Sequence, residues 1–161
     1  VIESLAAVAE SLQDRQQTID TIQQVIAQLK AEYPNVAIVD ATLPNEPAFA
    51  GAIKCDEHWA VIHEMLKQAE GFISIDSCLN HFSASAQKAG VVIWGSTRWT
   101  QFGYAHNANL QFHMSDKWDE AKYDEADPRN VLVAPERVIE AYKGNLGKGK
   151  TLPETVTCLT A

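Results

Sequence analysis

The chain has 161 residues, the length of about one domain, and its 46% hydrophobic content is enough for a substantial core. No apolar run approaches the ~20 residues that span a bilayer, and no basic-then-apolar leader opens the chain, so a cytoplasmic protein without a transmembrane segment is expected. A formal net charge of -8, from 21 acids against 13 bases, argues against nucleic acid as a partner, because phosphate backbones call for concentrated basic surface.

In chain order, the stretch up to Tyr33 is helical in composition, with Ile19, Ile22, Val25, Ile26 and Leu29 at three- and four-residue steps, and Pro34 stops it. "NVAIVDAT" is a β-branched run of strand length. "LPNEPAFAGAIK" reads as a loop with room for a short strand. "DEHWAVIHEMLKQA" is a second helix with Trp59, Ile62, Leu66 and Ala69 on one stripe and Asp56 and Glu57 near its positive end. "FISIDS" is a strand, "CLNHFSASAQKAG" a helix ended by Gly90, and "VVIWGST" a further strand. "RWTQFGYAHNANLQF" reads as an aromatic and amide-rich loop, and Asp116 to Asp127 as a solvated acidic one. "VLVAP" and "PERVIEAYK" give a last strand and helix, with Pro135 suited to a first helical turn. The alternation predicts an α/β fold, a Rossmann-like parallel sheet flanked by helices, over 1–143, followed by a polar tail over 144–161. A chain that begins at Val1 without a strand before its first helix is expected to be a fragment of a longer one.

Three widely spaced cysteines, Cys55, Cys78 and Cys158, frame neither a disulfide set nor a metal knuckle. His58 and His63, five apart, fall about 140° around a helix from each other and suit no common metal, so no metal or cofactor is expected. The chemistry points elsewhere. Parallel α/β sheets bind ligands at the carboxyl ends of their strands, where helix N-termini present unpaired amides. Two such ends are small and polar: Asp76-Ser77-Cys78 and Gly95-Ser96-Thr97. Side by side they would line one cleft suited to a phosphate, with His81 one helical turn beyond Ser77. The alternative reading of Ser77 is a helix N-cap alone, which would leave His81 and the Gly-Ser-Thr end unexplained.

The segment "GFISIDSCLNHFSASAQKAGVVIWGSTRWTQFGY" resembles the C-terminal, nucleotide-sugar-binding half of family 9 glycosyltransferases, the ADP-heptose:lipopolysaccharide heptosyltransferase type. Those enzymes carry Asp-Ser/Thr-Gly-x-x-His-x-Ala-Ala after one strand and Phe-Gly-x-Thr-x-Pro after the next. Asp76, Ser77 and His81 match the first motif, and Gly95 and Thr97 the second. The resemblance implies the C-terminal half of a two-domain GT-B fold that binds a nucleotide-diphosphate sugar. Its N-terminal partner domain would carry the acceptor site, so the present chain alone is expected to be inactive. It implies donor or phosphate contacts from Asp76, Ser77, Cys78, His81, Gly95, Ser96 and Thr97, and weaker ones from Gly103, Tyr104 and Asn107. The family's glycine is Cys78 here, Ser83 replaces an alanine, and Arg98-Trp99 stands where its proline turn would be. A side chain at position 78 keeps the backbone farther from a phosphate than glycine does. The alternative is a non-catalytic module of the same fold, serving as an interaction or structural part of a larger assembly. Serine-nucleophile and nicotinamide-binding readings fail for want of Gly-x-Ser-x-Gly and Gly-x-Gly-x-x-Gly.

Overall fold

A computed structural model of the chain describes residues 12–42, 44–94, 99–111, 134–146 and 157–159. Helix α1 (Leu12–Glu32) buries Ile22, Val25, Ile26 and Leu29 on one face and ends two residues before Pro34, whose ring excludes the preceding residue from helical backbone. Strand β1 (Ile38–Ala41) is buried throughout, and β2 (Ile53–Cys55) follows the proline-rich loop. Helix α2 (Trp59–Gln68), β3 (Gly71–Ile75), α3 (Cys78–Ser85) and β4 (Val91–Trp94) continue the alternation. A single turn α4 (Trp99–Phe102), β5 (Ala108–Gln111), α5 (Pro135–Leu146) and β6 (Thr157–Leu159) complete it.

Among the described residues six strands form one parallel sheet in the order β2-β1-β6-β3-β4-β5. Side chains alternate across it with the period of two that a strand dictates. Ile38, Ile73 and Val91 pack against Ile22, Val25, Ile26 and Leu29 of α1 and Val138, Ile139 and Tyr142 of α5. Val39, Phe72, Val92 and Trp94 point the other way, onto Ile62, Leu66 and Ala69 beside α2 and Leu79 of α3. Helices therefore cover both faces, and the near-continuous apolar strands are the consequence. Burying a side chain such as Phe72 or Trp94, both fully enclosed, contributes roughly 1.5–3 kcal/mol each. A salt bridge from Lys143 to Glu32 ties α5 to α1 at the surface.

Several elements depart from the sequence expectation. Within 144–161, α5 extends to Leu146 and Thr157–Leu159 pairs with Ile38–Asp40 on one side and Gly71–Ile73 on the other, so the segment read as a tail supplies the strand between β1 and β3. Three strand residues after a polar, glycine-bearing stretch are too few to register as a periodic signal. The amide-rich loop contains α4 and β5, whose asparagines broke the apolar pattern of a strand. Helix α3 stops at Ser85, not at Gly90. Gln87 takes left-handed backbone at φ 54°, while Lys88 N–H bonds to Ser83 carbonyl at 2.9 Å and Gln87 N–H to Ala84 carbonyl at 3.2 Å, which is a Schellman cap made without glycine. Gly90 serves packing instead, because a Cβ there would overlap the ring and carbonyl of Phe72. Pro135 opens α5 as expected. The acidic stretch Asp116 to Asp127 and residues 131–133 of the strand expected over "VLVAP" lie outside the described residues, while Ala134 is not in a strand and Pro135 belongs to α5.

Candidate functional site

Strand addition runs outward from β6 in both directions, through β1 to β2 and through β3 and β4 to β5. The chain thus changes sides between β2 and β3, and in open α/β sheets the crevice at such a switch point, at the carboxyl ends of the strands, is where ligands bind. Two features flank it.

The first lies at the end of β3. The Asp76 amide donates to Ile93 carbonyl at 3.1 Å, which carries the ladder to β4 one residue beyond the strand and leaves the half-buried carboxylate without a partner among the described residues. Ser77 is fully extended (φ -155°) and caps α3, its hydroxyl accepting the Leu79 N–H at 3.3 Å. Ser77 is therefore a cap, and its oxygen already holds one amide of the helix end. Cys78 follows as the first helical residue, exposed. Partial desolvation pushes the thiol's pKa up, and the nearby Cys78 and Leu79 amides counter this only in part.

His81 is exposed on α3. Its Nδ1 lies 3.0 Å from the Tyr104 hydroxyl, the two rings meet edge to face at 5.8 Å, and His106 packs on Tyr104 at 5.6 Å. Of the residues expected to contact a ligand, Asp76, Ser77 and Cys78 follow one another from the end of β3 into α3, and His81 of the same helix is brought against Tyr104. Gly95, Ser96 and Thr97 lie outside the described residues.

Asn107 and Gly103 have structural work. Asn107 is 7% exposed, and its amide donates to Asn80 Oδ1 at 3.1 Å and Ser83 Oγ at 3.3 Å while its oxygen accepts Gly90 N–H at 3.2 Å. That side chain is consumed inside the domain. Asn80, fully buried, donates to Phe102 carbonyl at 3.1 Å. Asn109 accepts the buried indole N–H of Trp94 at 2.9 Å and donates to Tyr104 carbonyl at 3.0 Å. A Cβ on Gly103 would come within 2.6 Å of Trp99 carbonyl, so only glycine fits this turn. Together these residues seat the turn carrying Tyr104 on α3. The signal in the sequence was the pair Asn107 and Asn109, two apart in a run otherwise able to form a strand.

The second feature is a groove of about 390 Å³ where β1 and β2 end against α2, lined by Thr42, Pro44, Asp56, Glu57, His58 and Trp59 among others. His58 is the N-cap of α2, its Nδ1 accepting Ala60 N–H at 3.2 Å. His63 is partly exposed, and its Nε2 lies 2.8 Å from Ser85 Oγ of α3. Trp59, 38% exposed, lines the groove and also packs on Phe82 of α3 at 5.7 Å, which joins the groove to the helix carrying His81. Behind it Asp40 is completely buried. Its Oδ2 accepts Phe49 N–H at 3.1 Å, its Oδ1 has no partner among the described residues, and burial pushes its pKa up. That hydrogen bond pins the loop between β1 and β2.

Among the described residues no three His, Cys, Asp or Glu side chains converge as a metal site, and no helix is long and apolar enough to cross a membrane. No family model matches the chain, and neither curated proteins nor solved structures give a significant match.

Proposed function

We propose that this chain is the donor-binding domain of a glycosyltransferase of the heptosyltransferase type, the second of the two Rossmann-like halves of a GT-B fold, and that it holds a nucleotide-diphosphate sugar at its switch point. The observation that supports the reading is the order of groups after β3: Asp76 with no partner among the described residues, the amide end of α3 capped by Ser77, and His81 on the same helix braced by Tyr104. A diphosphate is the anion that such an end accommodates. The helix amides and positive dipole face it, and an imidazole adds a donor. The groove beside Trp59 has the aromatic surface and the carboxylates of Asp56 and Glu57 that a nucleoside's base and hydroxyls would use. In transfer, the chain's share is to offset the negative charge that grows on the leaving nucleoside diphosphate as the glycosidic bond breaks. The acceptor and its base belong to the partner half, so transfer by this domain alone is not expected.

A binding-only module is the second reading, and Cys78 favours it. A thiol over the first helical residue fills space that glycine would leave for a phosphate. Calorimetric titration with ADP, GDP and UDP separates the two. Saturable heat from at least one of them supports donor binding, and no heat at millimolar ligand removes it in favour of the module.

A further inference from the structure

We propose that Tyr104 is the positioning residue of His81. It holds the imidazole in the tautomer whose proton sits on Nε2, so that the ring presents an N–H donor at that nitrogen whether neutral or charged. The inference rests on His81 being a donor-site residue, and it adds the device that sets what kind of hydrogen-bonding group the ring offers.

The Tyr104 hydroxyl lies 3.0 Å from His81 Nδ1, and the other ring nitrogen, Nε2, has no partner among the described residues. A phenol gives its proton readily and accepts poorly, because its lone pair is shared with the ring. A bare imidazole nitrogen is the better acceptor. Tyr104 O–H therefore donates to Nδ1 in the neutral ring, which leaves the proton on Nε2. When the ring protonates, the hydroxyl turns and accepts from Nδ1–H, and Nε2–H is unchanged. An ordinary surface histidine has no such constraint and offers Nε2 as donor or acceptor according to tautomer.

The brace is anchored at both ends. Tyr104 carbonyl accepts from Asn107 N–H at 3.0 Å and from Asn109 Nδ2 at 3.0 Å, and Gly103 before it has no room for a side chain. Asn80, adjacent to His81 on α3, ties the same turn through Phe102 carbonyl at 3.1 Å. His106 packs on the other ring of the pair, Tyr104, at 5.6 Å. The backbone of Tyr104 is thus fixed by the amide network, independently of the histidine that its hydroxyl meets.

The test is a long-range proton–nitrogen correlation spectrum of the ¹⁵N-histidine-labelled chain, free of ligand, at a pH where the rings are neutral. His81 is expected to show a protonated Nε2 and a bare Nδ1. In Tyr104→Phe, which keeps the ring packing, its two nitrogen shifts move toward each other as the tautomers mix, while His58 and His63 stay unchanged. A protonated Nδ1 in the native chain, or nitrogen shifts unaffected by Tyr104→Phe, overturns the proposal. Titration with inorganic pyrophosphate supplies the second readout. Tyr104→Phe weakens binding by about three- to tenfold, and His81→Ala at least as much. Equal affinity of Tyr104→Phe and native chain contradicts the role of Tyr104, whereas absence of binding by both strikes the donor-site reading and leaves the spectra to decide the positioning.

Discussion

Replacing Asn107 by alanine tests whether the amide network, rather than apolar packing alone, seats the Tyr104 turn on α3. The side chain is 7% exposed and serves three partners. Its removal strands the buried Gly90 N–H and Asn80 Oδ1, while Ser83 Oγ keeps its 2.6 Å bond to Asn80 carbonyl. Each stranded buried group costs about 1–3 kcal/mol, and water entering the vacated space recovers part of it, so a loss of about 2–4 kcal/mol is expected. For a chain of this length that lowers Tm by about 5–12 °C. Urea unfolding followed by far-ultraviolet circular dichroism should show a lower midpoint at unchanged slope. A loss under ~0.5 kcal/mol would refute the reasoning, because it would mean that the partners find others at no cost or that the network is not closed.

Three further outcomes follow from the same geometry. Asp40 titrates higher folded than unfolded, so its share of stability is complete at low pH and is lost as pH rises from the ordinary aspartate range through its raised folded value. Asp40→Asn keeps an acceptor for Phe49 N–H, and it should match or exceed the native chain at neutral pH and lose that advantage in acid, as read from urea midpoints across pH. Gln87→Gly, which relieves left-handed backbone at φ 54°, should raise stability by about 0.5–1 kcal/mol; a decrease would argue against the Schellman cap. Gly90→Ala should cost about 1–3 kcal/mol or more through collision with Phe72, and a soluble variant of native Tm would contradict that packing.

The legible part of the fold was the part written in periodicity. The α1 stripe of Ile22, Val25, Ile26 and Leu29, the β-branched β1 and β4, and the polar break after Ile75 all appear where their patterns predict. The strand β5 was hidden because Asn109 spends its polarity on the Trp94 indole and Tyr104 carbonyl, contacts that only the tertiary fold reveals. The strand β6 was hidden because its pairing with β1 and β3 is entirely non-local. At the site, strand-to-helix chemistry marked Asp76, Ser77 and His81 and offered Ser77 as a helix cap, which it is, but sequence could not say that Asn107 would face inward. Nor could it show the contact between His81 and Tyr104, which are 23 residues apart.

The measurement that bears most directly on donor binding is a titration of the uniformly ¹⁵N-labelled chain with ADP, followed through its backbone amide spectrum. Saturable shifts concentrated at Asp76, Ser77, Cys78, Leu79 and His81, and abolished by His81→Ala combined with Asp76→Ala, are the predicted result. Absence of shifts at millimolar ADP, GDP and UDP, or saturable shifts confined to other surfaces, would contradict it.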